Sequence, residues 1–452
     1  MRSPFWLDTR SIGAFRVALG VVLIADLLKF RWPNLEAFYG IDGVLPPDVA
    51  APVTLGILQD IPNATGVHAA FALTLAVYSL YTVGFYPRLS GWFALWCLWN
   101  IHDRAPLVVA TDDQAVICLL AWSLLLPLGE QFSVTRRVPP RQVHSVATCG
   151  IVLQVAIIYV SNAMPKTGWT WREGVAISFA MLEDLWVNPG PAEWLARYTD
   201  LCRFLTYAVR PAEFSIAFLI LCPIFNGITR TLAAVVILLF HGTIFVFISV
   251  GFFPLITASW ALLILPSSVW DASGRRRNLN EWPQDEGRLV PASSVVAAAF
   301  LLAILGQNAR QHFGGMAFRG PTVMDRLSRT SLFRQYWPLY APDATIVSKW
   351  IKVRGQDMAG VSIDLWSSRP FTYDNKDLSY QSEPWQNLAA RVMNESPSSQ
   401  LPRRWARFEF DRWRLLHGER PLRTVQLVAF ERTILAPQRT SPISWRVLAE
   451  VR

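Results

Sequence analysis

The chain has 452 residues, 52% of them hydrophobic and only 17% charged, with 20 tryptophans and 26 phenylalanines. A soluble domain is nearer a quarter charged, and here the apolar residues come in blocks, so composition excludes an ordinary soluble globular protein and points to a polytopic membrane protein. Net charge is +9, but the basic residues sit in short loops between apolar runs, a pattern of membrane orientation rather than of nucleic-acid binding.

The N-terminal string MRSPFWLDTRSIG has no small-residue cleavage site ahead of its apolar run, so that run is expected to be the first membrane span rather than a removed leader. Apolar runs predict about nine spans, near residues 11–30, 67–84, 88–101, 112–128, 143–164, 212–226, 229–249, 252–268 and 292–307. Several are shorter than the ~20 residues of a perpendicular span, and the third and fourth are short enough to be tilted or partly re-entrant. Arg2 and Arg10 precede the first span. Arg88, the group Arg136, Arg137 and Arg141, then Arg230, and then Arg275, Arg276 and Arg277 follow the even-numbered spans. The alternate loops carry Glu36, Asp42, Asp48 and Asp60, or Asp103, Asp112 and Asp113. This asymmetry predicts a cytoplasmic N-terminus, and an odd number of spans then leaves the tail outside.

The tail changes character after residue 307. TIVSKWIKVRG, VSIDLW, RTVQLVAFERTIL and ISWRVLAEV alternate with the period of strands, while PWQNLAARVMN and RRWARFEFDRWRLLHG read as helices between them. The expected fold is therefore mainly α. A polytopic membrane helix bundle over 1–307 is followed by a small α+β extracytoplasmic domain over 308–452.

No glycine-rich phosphate loop, GxSxG elbow, HExxH or internal repeat occurs, and the missing repeat argues against a transporter. The five cysteines, Cys97, Cys118, Cys149, Cys202 and Cys222, form no CxxC and no Cys/His metal spacing, so neither a metal site nor a disulfide framework is expected.

An ionisable residue within a membrane span marks a functional-site hypothesis. Asp26 in VVLIADLLKF, His102 in CLWNIHDRAPL, Lys166 in SNAMPKTGWTWREG and His241 in ILLFHGTIFVF are the four candidates. They lie on the first, third, fifth and seventh spans, which run in one direction, so all four are expected in one depth band toward the outer face. Burial of Lys166 would lower its proton affinity toward that of a usable base. Each residue also has a plainer reading: a snorkelling anchor for Lys166, helix packing for His241, an interfacial loop for His102, and pairing with Lys29 or Arg31 for Asp26. Trp92, Trp96 and Trp99 form a helical stripe that reads as packing.

Five strings in order, FRVALGVVLIADLL, LEAFYGIDGVLP, NIHDRAPLV, NAMPKTGWTWREG and LLFHGTIFVFISVGFFPLITASWALLILPSSVW, resemble the HTTM membrane-domain family, which includes the vitamin K-dependent γ-glutamyl carboxylases. The resemblance covers roughly residues 5–275. It implies that Lys166 is a base that deprotonates reduced vitamin K or a related quinol, with His102 and His241 as further catalytic residues. The same strings make Asp26, Arg104, Asn162 and Trp171 substrate-binding candidates. The implied reaction uses the reduced quinone, dioxygen and carbon dioxide to carboxylate glutamate in an exported peptide. Membrane lipid, the quinone and that peptide are the expected partners. The alternative is a non-catalytic membrane scaffold or maturation factor that binds an exported peptide through its tail.

Overall fold

The computed structural model describes residues 3–45, 57–61, 63–135, 138–273, 292–313, 333–373, 382–395, 399–418 and 420–452. Arg2, Asp48, Arg136, Arg137, Arg275, Arg276 and Arg277, which entered the orientation argument, lie outside the described residues.

Among the described residues six helices are long and apolar enough to cross a membrane: Thr9–Phe38, Ala64–Val83, Val146–Ala163, Thr199–Leu221, Asn226–Phe247 and Ser293–Arg310. In chain order, β1 (Leu7–Asp8) leads into α1 (Thr9–Asp26), and after a π-turn come α2 (Leu35–Phe38), α3 (Ala64–Val83), α4 (Pro87–Arg104) and α5 (Thr111–Ser123). Strand β2 (Gln142–Val143) precedes α6 (Val146–Ala163), the short α7 (Trp169–Arg172) and α8 (Ala176–Ala180), and α9 (Pro189–Ala196). Then follow α10 (Thr199–Leu221), α11 (Asn226–Phe247), α12 (Phe253–Ile264), α13 (Ser267–Ala272) and α14 (Ala292–Phe313).

The other expected spans are helices of a different kind. At ~1.5 Å per residue, α5 and α12 are too short for a ~30 Å hydrocarbon layer. α4 carries Arg88, Asp103 and Arg104. The span expected at 212–226 instead begins at Thr199 and ends at Leu221, running straight through Pro211. Pro211 has no N–H to offer the Tyr207 carbonyl, a loss that helices packed among neighbours tolerate.

Helix ends follow local chemistry. Asp8 caps α1 by accepting from the Arg10 amide at 2.8 Å. Asn63 caps α3 through the Gly66 amide at 2.7 Å. α3 stops at Gly84, whose φ of 76° and an approach of 2.4 Å between a would-be Cβ and Arg16 Nη1 both demand glycine. Met164 and Pro165 close α6, leaving Lys166 just past its end.

One end of the bundle is sealed by buried arginines that bind backbone. Arg16 donates to Leu128 O at 2.8 Å and to Phe132 O. Arg230 donates to Trp6 O at 2.6 Å and to Pro4 O. Arg10 bridges Asp8 and Asp271, each at 2.8 Å. β1 pairs antiparallel with β2 beside them. The segments carrying Arg10, Arg141 and Arg230 therefore meet at one end.

The tail docks at the other end. Strands β3 (Val347–Asp357), β4 (Ser362–Asp364), β5 (Leu422–Ala436), β6 (Arg439–Thr440) and β7 (Ser444–Val451) form an antiparallel sheet of order β4-β3-β5-β6, with β7 also on β5. Helices α15 (Glu383–Val392) and α16 (Leu401–Leu416) accompany it. Each expected tail strand and helix is present. Trp385 meets Trp366 edge-on and Trp405 at a tilt within the tail, and reaches Phe38 of the bundle at 4.6 Å between ring centroids. Its Nε1 donates to Asn34 Oδ1 at 2.7 Å. One apolar core runs from Phe15, Leu19 and Trp260 through Phe38 and Trp385 to Val425 and Leu427.

Candidate functional site

The four ionisable candidates fall into two buried clusters. Lys166 is 3% exposed. It neither snorkels nor stands free: its Nζ donates to Glu213 Oε1 at 2.6 Å and Oε2 at 2.8 Å. Glu213 comes from α10, which packs along α6, and is fully buried. Asn162, on the last turn of α6, donates to the same carboxylate at 2.6 Å and accepts from the Leu339 amide of the tail at 2.8 Å. The Lys166 ammonium also lies over the Trp171 ring, 5.4 Å from its centroid. Trp171 Nε1 donates to Tyr340 O at 2.8 Å. Burial pushes the Lys166 amine below its ordinary range, and the carboxylate opposes that shift.

His241 joins this region from α11. Its Nε2 is 2.9 Å from the hydroxyl of Tyr159, one turn before Asn162 on α6. Its Nδ1 is buried without a hydrogen-bond partner among the described residues.

A cavity of about 390 Å³ adjoins the pair, lined by Trp171, Arg172, Thr206, Tyr207, Arg210, Pro211 and Phe214. Trp171 forms part of its wall, and the same ring lies 5.4 Å from the Lys166 ammonium. Phe204, Tyr207, Phe214 and Phe218 are exposed along the same face of α10, where a membrane helix meets acyl chains.

The second cluster holds Asp26 and His102. Arg31 spans it, with Nε 3.0 Å from Asp26 Oδ2 and Nη2 2.5 Å from Asp113 Oδ1. His102 Nε2 lies 3.1 Å from that same Asp113 oxygen. Asp113 Oδ2 caps α5 through the Ala110 amide at 3.0 Å. Asp112 accepts from the Asp113 amide at 2.9 Å. The tail contributes Glu383, at the start of α15, beside Asp112. Burial first, and then the Asp113 charge, push the Glu383 carboxyl up to about 8. Four carboxylates thus face one guanidinium and one imidazole. Arg31 Nη1, His102 Nδ1 and the Tyr78 hydroxyl are buried without a partner at hydrogen-bond distance among the described residues.

Arg104 belongs to neither cluster. It donates to the carbonyls of Phe38, Gly40 and Leu45 at 3.2, 2.9 and 2.7 Å, tying down the turn after α2. Among the described residues no group of three or more His, Cys, Asp or Glu side chains is arranged to hold a metal ion.

Glu213, Asp113, Glu383 and Tyr159 were missed as site residues by the sequence reading, which named Arg31 only as a partner for Asp26. Glu213 carried the signal used for the others, an acid within an apolar run, and the misplaced start of α10 at residue 212 hid it. Asp113 read as a loop charge because it lies at the start of a helix. Glu383 carried no signal, since only the fold brings it to the bundle.

The fold and these clusters define a multi-pass, mainly helical membrane protein with a C-terminal sheet region docked on one end of its bundle. No family model, no curated protein and no solved structure matches the chain. The HTTM resemblance therefore rests on the five ordered strings alone.

Proposed function

We propose that the chain is an integral membrane enzyme resembling the HTTM carboxylases, with the Lys166–Glu213 pair as its proton acceptor. The supporting observation is the cavity walled by Trp171 and Arg210 beside a buried, ion-paired lysine. Its volume lies in the range of small-molecule sites. Trp171, Pro211 and Phe214 supply an apolar wall, and Tyr207, Thr206 and Arg210 supply polar groups, a combination that suits an amphiphilic aromatic such as a reduced quinone. When bound, a reduced quinone supplies a reductant for dioxygen.

The remaining chemistry belongs to the side chains. Glu213 fixes the Lys166 Nζ with two charge-assisted hydrogen bonds and leaves the pair neutral overall. The acceptor is Lys166 as the neutral amine, a form that burial favours, and Glu213 then pairs with the ammonium that proton uptake produces. Asn162 holds the carboxylate from its other side and passes any tail movement to it through Leu339. Tyr159 and His241 extend the polar track along α6 toward α11.

Purified protein given vitamin K hydroquinone, bicarbonate and a glutamate-containing peptide is expected to form quinone epoxide. Lys166→Ala is expected to abolish it, and epoxide formation undiminished in that variant overturns the assignment of the base.

The scaffold reading is favoured by one observation: His102 is engaged with Asp113 in a cluster apart from Lys166, and the Lys166 region is knitted to the tail by Asn162, Thr170 and Trp171. Thr170 contributes through Asp343, which accepts from its amide at 2.7 Å. On that reading a Lys166→Met/Glu213→Leu variant folds and still matures its peptide, which an enzyme lacking its base does not do.

A further inference from the structure

The tail carries a second site that owes nothing to Lys166. A groove of about 500 Å³ runs between the first turns of α16 and the end of β7, lined by Gln400, Arg403, Arg404, Arg407, Glu450, Val451 and Arg452. Four arginines therefore face one carboxylate. The neighbouring acids offset part of this charge. Glu450 takes Arg452 at 2.9 Å and also accepts from Gln426 at 2.8 Å. Asp411 takes Arg407 at 3.0 Å. Glu409 turns inward, 3% exposed, and accepts from Trp366 Nε1 at 2.9 Å. Arg403 is exposed and has no carboxylate partner among the described residues.

Folding alone gives no reason for this arrangement. Arg403, Arg404 and Arg407 crowd like charges one turn apart, in the part of a helix where the backbone dipole already disfavours cations. Packing of α16 uses other residues, namely Leu401, Trp405, Ala406, Glu409 and Trp413. The groove's second wall is a sheet edge. β7 pairs with β5 along one side, and no described strand pairs with its other side.

Spacing selects the occupant. Arg403 and Arg407 are one helical turn apart, ~6 Å along the axis. Alternate side chains on one face of an extended peptide repeat at about 6.7 Å. Carboxylates on every second residue of such a peptide match successive guanidinium groups, and arginine binds a carboxylate with two parallel hydrogen bonds. We propose that the groove between α16 and β7 binds an extended acidic peptide segment with Glu or Asp at alternate positions.

The test uses the full-length protein in detergent and a fluorescein-labelled peptide of alternating glutamate and serine, read by fluorescence anisotropy. Binding is expected to weaken at least about tenfold in Arg403→Gln/Arg407→Gln, to fall with added salt, and to persist in Arg414→Gln, an exposed arginine of α16 outside the groove. A peptide of equal charge with its glutamates in one adjacent block is expected to bind more weakly. Unchanged binding in the double variant overturns the proposal, as does equal loss in Arg414→Gln or equal affinity for the blocked peptide. Capture of phosphatidylglycerol vesicles through Arg403 and Arg407, with the peptide ignored, also overturns it and reassigns the groove to lipid. If the double variant melts earlier than the parent, Arg403→Gln alone, at an exposed position, carries the same comparison.

Discussion

The two buried charge clusters at the tail-bearing end of the bundle solve the same problem in opposite ways. At Lys166 one cation meets one carboxylate, each oxygen of Glu213 is engaged, and the Trp171 ring beside the ammonium also walls a cavity. At His102 four carboxylates share one guanidinium and one imidazole, and the tail closes over them through Glu383. The first is balanced and can change its proton count by one beside a ligand-sized space. The second has more acid than base, so it is completed by protons, and its completion depends on the tail being docked. Burial alone therefore does not distinguish a chemical site from a structural one; the ratio of opposite charges and the space beside them do.

The sharpest way to break this comparison is to remove one partner of the balanced pair. Glu213→Leu leaves the Lys166 ammonium buried without its carboxylate and is expected to cost about 3–5 kcal/mol in thermal unfolding. Lys166→Met/Glu213→Leu is expected to recover most of that loss, because both desolvation costs vanish together. If the double variant is as unstable as the single one, the pair is not balanced in the sense argued here.

The acid-rich cluster is expected to respond to pH instead. Burial, and then the Asp113 charge, hold the Glu383 carboxyl up at about 8, above its ordinary 4.5, and outside that cluster burial and the neighbouring Asp184 hold Glu183 near 7. Both groups bind a proton more tightly in the folded protein than in the unfolded chain. Stability is therefore greatest below about pH 4.5 with respect to these groups, falls as pH rises toward 8, and levels off above it. Glu383→Gln is expected to remove its share of that slope up to about pH 8 in melting curves taken from pH 5 to 9, and Glu183→Gln its share up to about pH 7. A slope unchanged in Glu383→Gln removes the proton-completed reading of the cluster.

The smallest expected effect is at His241. His241→Phe removes one hydrogen bond, to Tyr159, and is expected to cost about 1 kcal/mol in the same unfolding measurement. A much larger loss would make His241 part of the Lys166 machinery's support rather than an extension of it.

Much of the fold was legible in the sequence because local rules dominate it. Apolar runs gave the long helices α3, α6 and α11 to within a few residues, and period-two alternation gave β3, β5 and β7 in the tail. The errors came where a local rule met tertiary context. The expected span began at residue 212, yet α10 starts at Thr199 and passes through Pro211, packed against α6 and α11. Arg10 and Arg230 read as loop charges, yet each is buried on backbone carbonyls or acids. Asp26 pairs with Arg31, one of the two partners its position allowed.

The sequence by itself determined where apolar segments lie, which tail segments are strands, and which ionisable residues are too deep in apolar runs to be ordinary surface charges. These are properties of single segments, set by period and transfer energy. Only the tertiary structure decided which charges meet. Glu213 lies 47 residues from Lys166, and Glu383 reaches Asp112 from across the whole tail. No local pattern encodes such a distance, because the pairing energy appears only once helices and tail are packed and water is gone from between them.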